Sequence, residues 1–287
     1  MKSNANKNGN NGSNTQAKGV ALMGIDEVQQ RMFVEERRRH ILDLLDQTKR
    51  VTVRELADAF SVSAVTVRSD LEVLAEMGAL VRSHGGAVKP VSPAPNLPIS
   101  LKERLRQNEK ARIGVMAASM IQDGETVIFD SGTTTAAIAK CVASLRLNAL
   151  TVITNALNIA TELSNLPNVR VIILGGIVRG AALSMVGPHA EQALSNLNAD
   201  RVFLGVDGID PEVGLTTPDV LEAQLSSLMI RVSREVVAVA DSSKFMNRSL
   251  SVIAKLNSIH KIVTDEGIPA QMMEALHENG VEVLIAK

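Results

Sequence analysis

Three threonines stand directly after a glycine in Phe129-Asp130-Ser131-Gly132-Thr133-Thr134-Thr135, which gathers hydroxyl donors and backbone N–H groups at one point of the chain. Apolar Val127 and Ile128 precede the run and Ala136-Ala137-Ile138-Ala139 follows it, so the order is strand, turn, helix. A helix start offers unpaired N–H groups and the positive end of the helix dipole, and Gly132 lets the backbone come close to a ligand. The chemistry this suits is holding a phosphate. It is not a nucleotide-hydrolysing loop, because no Gly-Lys-Ser/Thr follows, nor is it a dinucleotide fingerprint. A Ser/Thr-rich helix cap without a ligand is the other reading. Asp130 repels phosphate and is suited instead to accept hydrogen bonds from sugar hydroxyls.

More polar, small residues fall just after apolar runs. Thr154-Asn155 follows LTVI, Gly175-Gly176 follows VIIL, Asp207-Gly208 follows FLGV, and Asp241-Ser242-Ser243-Lys244 follows VAVA. Each alone is turn chemistry. Together, at strand ends on one edge of a sheet, they form a candidate binding site.

A second chemistry lies nearer the amino end, in SVSAVTVRSDLEVLAEMG at 61–78. Ser63 is a natural N-cap, Gly78 a natural helix stop, and Val67, Leu71 and Leu74 recur on one helical face. The opposite face carries Val65, Arg68, Ser69 and Glu72, with Thr66 on its flank. These are residue types that read base edges and phosphates in a major groove, with Arg68 the foremost guanine or phosphate contact. ALVRSHGGAV, just beyond, alternates and contains a Gly-Gly pair, as a small β-wing would, and its Arg82 and His84 are placed to touch the DNA backbone.

These candidates need elements to position them. VEERRRHILDLLDQ puts Ile41, Leu44 and Leu45 on one helical face with its charges outward, and RELADAF forms a short helix with Leu56 and Phe60 inward. With the helix after Ser63 they make a winged helix-turn-helix. The charge run at 35–39 reads as a solvated helix face, with a phosphate-contacting patch as the alternative. Farther on, VIFD, LTVIT, VRVIIL, RVFLGV, VVAVAD, KIVTD and VEVLIA read as buried strands. PHAEQALSNL, PDVLEAQLSSLMIRVS and PAQMMEALHENG, lying between strands, have helical spacing. Strand and helix taking turns predicts a mainly parallel α/β sheet, in which ligands collect at the carboxyl ends of strands. The predicted organisation is a disordered tail over 1–30, a DNA-binding domain over 31–89, a proline-rich linker over 90–100 and an α/β effector domain over 101–287.

Composition narrows the partners. With no Trp, no Tyr and five Phe, the chain lacks the stacking platforms of single-stranded RNA binders and the aromatic faces on which many lectins hold sugars. Any small ligand must be held by polar groups. A net charge of −1 leaves DNA binding to a few placed cations rather than to a general field. The single Cys141 is expected to pack in a core, and neither a signal peptide nor a membrane span is legible, which predicts a cytoplasmic protein. No cofactor or metal site is expected.

The stretch from ERRRHILDLL through VSAVTVRSDLEVLAEMGALVRSHGGAV resembles the winged head of the DeoR family of bacterial transcriptional regulators. Members commonly carry two arginines before the Asp-Leu, where this chain has Arg68-Ser69-Asp70. From about Ile99 onward the chain is similar to that family's effector domain, which shares its fold with ribose-phosphate isomerases and CoA transferases. DSSKFMNRSL and the segment from Val263 onward look most like the branch concerned with N-acetylgalactosamine utilisation. The resemblance implies that Asp130, Gly132 to Thr135, Asn155, Asp207 and Lys244 line a sugar-phosphate pocket, and that Lys244 supplies a cation the threonine loop lacks; Ser131, Thr154, Gly175, Gly176, Gly208 and Glu222 complete the candidate effector site. It also implies a repressor of a sugar-catabolism operon that binds double-stranded operator DNA as a dimer or larger homo-oligomer.

An isomerase remains the alternative. Enzymes of that fold carry a stretch like GADEID, then a lysine, then a glutamate that acts as base. Here GVDGID at 205–210 and Glu222 correspond, but PEVGLTTPDVL between Asp210 and Glu222 contains no Lys or Arg. The group that would stabilise an enediolate oxygen is missing from that place, so no catalytic residues are expected.

Overall fold

The computed structural model describes residues 33–89 and 97–287. The Asn/Gly/Ser-rich stretch expected to be disordered, and most of the proline-rich linker, lie outside the described residues.

The head begins with α1 (Val34–Thr48), whose Ile41, Leu42 and Leu45 are buried. Strand β1 (Arg50–Thr52) leads into α2 (Val53–Phe60), where Thr52 and Glu55 close a capping box. Helix α3 (Ala64–Glu76) starts as its sequence predicts: the Ser63 hydroxyl accepts the Thr66 N–H at 3.1 Å. Gly78 after it takes a positive φ of 70°. Val67, Leu71 and Leu74 are fully buried, each adding roughly 1.5–3 kcal/mol. Strands β2 (Val81–Ser83) and β3 (Gly86–Val88) form the wing. β1 pairs with the other side of β3, so the wing is a three-stranded sheet.

The charge run at 35–39 corrects the sequence reading. Arg37 is buried, and its Nε donates to Asp70 Oδ2 at 2.6 Å while Arg38 Nε donates to Oδ1 at 2.9 Å. Two arginines of α1 thus clamp one carboxylate of α3, 33 and 32 residues away. A buried charge is tolerated when its partners satisfy it this way.

After the undescribed segment come α4 (Ile99–Arg104) and α5 (Gln107–Ala118). The linker expected over 90–100 therefore gives way to helix at Ile99. Next follow β4 (Thr126–Phe129), α6 (Thr133–Val142), β5 (Leu150–Thr154), α7 (Leu157–Leu163) and β6 (Val169–Ile173). A hairpin of β7 (Ile177–Arg179) and β8 (Ser184–Val186) precedes α8 (Pro188–Ser195) and β9 (Ala199–Gly205). Then come β10 (Gly208–Asp210), β11 (Gly214–Thr217), α9 (Val220–Arg231), β12 (Ser233–Val239), β13 (Ser251–Ala254), β14 (Lys261–Thr264), α10 (Ala270–Glu278) and β15 (Glu282–Ile285).

The seven runs expected as buried strands are the seven strands of one sheet, in the order β15-β14-β12-β9-β4-β5-β6, with every pairing parallel. Its two faces carry separate cores, one reaching α8, α9 and α10 and the other α5, α6 and α7. Within β4, Ile128 belongs to the first and Val127 and Phe129 to the second, as the period of a strand requires. Cys141 packs partly buried against the second core. β10, β11 and β13 form a small antiparallel sheet.

From β4 the chain proceeds outward through β5 and β6, then returns to place β9 on β4's other flank and continues the opposite way. The reversal falls between β4 and β9, where open α/β sheets hold their ligands.

Candidate functional site

The crevice at that reversal is built by two strand ends. After β4 the chain turns through Asp130, Ser131 and Gly132 into α6, and Gly132 needs its φ of 133°, which side-chain-bearing residues rarely adopt. After β9, Gly205 lies so close to the Ser131 carbonyl that a Cβ there would stand 2.8 Å from its oxygen. The loop and Asp207 are thereby brought side by side. No side chain caps the amino end of α6, so its first turn keeps N–H groups for a ligand.

Two cavities of about 140 and 70 Å³ adjoin here, and Leu97, Lys102, Thr133, Asp207 and Lys244 line both. Ser131, Gly132, Thr134 and Glu222 line the smaller one. The larger is closed on its far side by Leu42, Leu45, Gly78 and Ala79 of the head. Thus Ser131, Gly132, Thr133, Thr134, Asp207, Glu222 and Lys244 are brought together.

The other residues predicted for this site do not line either cavity. Asp130 is buried behind the loop, its Oδ1 accepting the Ser131 N–H at 2.7 Å and its Oδ2 the Ser226 hydroxyl at 3.4 Å. Thr135 donates to the Gly132 carbonyl, and Thr154 to the Phe129 carbonyl. Asn155 Nδ2 donates to the Met185 carbonyl in β8. Gly175 and Gly176 form the turn between β6 and β7, and Gly208 begins β10. Strands β5 and β6 lie on the far side of β4 from β9, which is why their ends miss the crevice.

Sequence reasoning missed four charged or polar neighbours. Lys102 of α4 donates from Nζ to Asp207 Oδ1 at 2.8 Å. Lys110 of α5 lines the larger cavity and donates to the Lys102 and Leu105 carbonyls at 2.5 and 2.7 Å. Arg179 of β7 lies 2.9 Å from Glu222 Oε2 and 3.2 Å from Asp219 Oδ2. Thr217 donates to the same Glu222 oxygen at 2.8 Å and to Asp207 Oδ2 at 3.3 Å. A lysine in a helical segment and an arginine after a strand carry no local signature. The cation wanted beside the threonine loop was already assigned to Lys244 in the sequence, so that need pointed to none of them.

Electrostatics follow from this packing. Desolvation pushes Asp207 upward, but Lys102 and Lys244 outweigh it and hold the carboxyl below its ordinary range. Asp241, next to Lys244 and Lys110, is lowered against the same desolvation. Burial lowers the Lys110 ammonium to about 8, opposed by Asp241 and reinforced by Lys244 and Lys102. At Asp130 the balance goes the other way: burial, then the Glu222 charge, pushes it well above the ordinary carboxylate value.

In the head, Val65, Arg68 and Ser69 are exposed on one side of α3, and Val65 is 72% exposed although apolar. Ser63 and Thr66 also share a hydroxyl contact of 2.8 Å at the helix start. His84 is exposed at the wing's turn. Arg82 braces the wing by donating to the Gly86 carbonyl at 3.2 Å, and its Nε lies 3.9 Å from Glu72.

Residues 37–92 match the DeoR-like helix-turn-helix domain and residues 105–266 match the DeoR C-terminal sensor domain. The chain is 38% identical over 252 residues to a putative aga operon transcriptional repressor of Escherichia coli O157:H7, covering 87% of this chain and 93% of that one. It is 35% identical to the HTH-type transcriptional repressor GlcR of Bacillus subtilis (89% and 98% covered) and 32% identical to the glycerol-3-phosphate regulon repressor of Escherichia coli K12 (86% and 97%). Among solved structures, ribose 5-phosphate isomerase A of Neisseria gonorrhoeae is similar at 15% identity and a TM-score of 0.37, over 50% of this chain and 55% of that one.

Proposed function

The chain belongs to the DeoR family and is a DNA-binding transcriptional regulator, and from that premise we propose that it represses a sugar-catabolism operon until a phosphorylated sugar enters the crevice between β4 and β9. The observation that carries this reading is the cavity itself. An uncapped helix start brings Thr133 into the larger cavity with Lys102, Lys244 and residues of the DNA-binding head, and Thr134 into the adjoining smaller one with the same two lysines.

In this reading the phosphate sits on the α6 N–H groups and threonine hydroxyls, and Lys244 neutralises it. Asp207 and Glu222 face the sugar hydroxyls as acceptors. Ser63, Val65, Thr66, Arg68 and Ser69 enter the major groove while Arg82 and His84 approach the phosphate backbone. Heads on paired half-sites require a homo-oligomer, most simply a dimer. The role is binding rather than isomerisation: Glu222, in the place of the isomerase base, is engaged by Arg179, Thr217 and Ser131.

Operator affinity measured with and without N-acetylgalactosamine 6-phosphate, glucose 6-phosphate, ribose 5-phosphate and glycerol 3-phosphate tests the proposal. One of them is expected to weaken operator binding, and Lys244→Met to raise the concentration required by about tenfold or more. If no phosphorylated sugar alters operator affinity, the effector reading fails. Interconversion of any of them followed by NMR, and lost in Asp207→Ala, would establish an enzyme instead.

A further inference from the structure

We propose that Lys102 is an effector-binding residue supplied by the connecting helix α4, and that its exchange between Asp207 and the bound anion transmits occupancy of the cavity to the DNA-binding head. The inference rests on the phosphorylated-ligand reading above. It assigns a role to a residue lying between the stretches 37–92 and 105–266 that carry the family's two domains.

Neighbouring side chains on α4 serve two different parts of the molecule. Leu101 is buried in the hydrophobic core of the head, together with Leu42, Leu45 and Leu74. Lys102, the next residue, points about 100° around the helix axis and reaches the crevice, where its ammonium holds Asp207 at 2.8 Å. Leu97 and Leu105, on either side of the helix, also pack against the head's core. One short helix therefore has one face in the DNA-binding unit and an adjacent one in the ligand cavity.

Helix α4 is held from outside rather than by its own length. Six residues are too few for a helix to be stable alone, since isolated helices below about 12 residues are marginal. Its position depends on the head core, on the Lys102 link to Asp207, on the Ile99 N–H to the Ala181 carbonyl at 2.7 Å, and on Lys110, which binds the Lys102 and Leu105 carbonyls. A change at Lys102 thus acts on an element with little stiffness of its own.

An arriving phosphate supplies that change. At equal distance a dianion attracts an ammonium about twice as strongly as one carboxylate does, so it competes with Asp207 for Lys102. Asp207 and the phosphate also repel each other unless a cation stays between them. When Lys102 leaves Asp207 for the phosphate, α4 carries Leu101 with it. Ligand affinity then differs between the two positions of α4, which is the condition for a ligand to move an equilibrium.

The test uses the full chain, as wild type, Lys102→Met, Lys102→Arg and Asp207→Asn, with the four sugar phosphates named above and inorganic phosphate as probes. Probe affinity, operator affinity with and without saturating probe, and amide hydrogen exchange over residues 97–105 are measured. Lys102→Met is expected to bind the active probe about tenfold or more weakly, and at saturation its operator affinity changes by a factor near one; Lys102→Arg recovers part of both. Without any probe, Lys102→Met is expected to exchange faster over 97–105 while α3 stays protected. Asp207→Asn, which frees Lys102 without removing it, is expected to bind the active probe more tightly and to respond less. A saturated Lys102→Met protein that keeps the full wild-type change in operator affinity overturns the inference and leaves the pocket reading intact. A wild type that binds no probe removes the pocket reading itself. Unchanged exchange over 97–105 in ligand-free Lys102→Met also overturns the role of Lys102 in holding α4.

Discussion

Asp70 in the head and Asp207 in the sheet domain both face cations that come from distant parts of the chain, and they use them differently. Asp70 is sealed between Arg37 and Arg38, whose planar guanidinium groups donate at 2.6 and 2.9 Å. Asp207 is only partly buried, borders a cavity and holds Lys102 at 2.8 Å, with Lys244 as a second nearby cation. The arginine clamp makes a lock that fixes α1 against α3. The lysine, a point charge on a flexible stem, makes a contact that a competing anion can take over. Packing cations around an acid creates a structural joint where water and ligands are excluded, and a responsive one where they are admitted.

That contrast can be broken most sharply at the lock. Asp70→Ala leaves two guanidinium groups facing each other without their carboxylate, one of them buried, and is expected to cost about 3–5 kcal/mol of stability in urea unfolding. A loss below about 1 kcal/mol would mean that the arginines find other partners and that the clamp is no lock.

A smaller effect is expected from Arg68→Ala, because Arg68 is exposed two residues before the clamped Asp70. Its loss should weaken specific operator binding by about 1–3 kcal/mol in anisotropy titrations while the melting temperature stays put. Unchanged operator affinity would show that the clamp does not hold α3 for Arg68 to read DNA.

The smallest effect sharpens the comparison with a third acid. Asp130 is buried, and its carboxyl is pushed well above the ordinary value by burial and by Glu222. The folded chain therefore retains a proton that the unfolded chain has already lost, so stability declines as pH rises above the ordinary carboxylate range. Asp130→Asn removes that decline. It should stabilise the protein at neutral pH, and the gain should vanish as pH falls below the ordinary carboxylate value. Melting temperatures followed from about pH 4 to neutrality check this; a destabilised variant at neutral pH would show that the Asp130 carboxylate is needed as an acceptor.

The fold was legible wherever burial imposes a pattern. Inner strands of a parallel sheet are covered on both faces and read as near-continuous apolar runs, while the edge strands β6 and β15 remain apolar enough to stand out despite Arg170 and Glu282. Ser63, Val67, Leu71, Leu74 and Gly78 marked α3 from its cap to its stop for the same local reasons. The short antiparallel strands β1, β7, β8, β10, β11 and β13 were not legible, because three or four residues hold too little alternation to stand out. In the charge run at 35–39, nothing local distinguishes a solvated arginine from Arg37, whose partner lies 33 residues away.

The candidate site divides in the same way. The loop from Ser131 to Thr134 could be found because its chemistry is carried by consecutive residues. Asn155 and Gly176 carried a similar signal, yet their strands lie on the wrong side of β4, and sheet order is not written in any one segment. Lys102, Lys110 and Arg179 arrive from three separate elements.

Sequence alone determined the reading head, the succession of strands and helices, and an anion-suited turn, since propensity, capping and periodicity act within a few residues of one another. Tertiary structure decided which strand ends share a crevice, which cations reach it, and that the head forms one of its walls. Those outcomes depend on crossover connections and long-range packing, which bring together charges whose separation along the chain carries no trace of their separation in space.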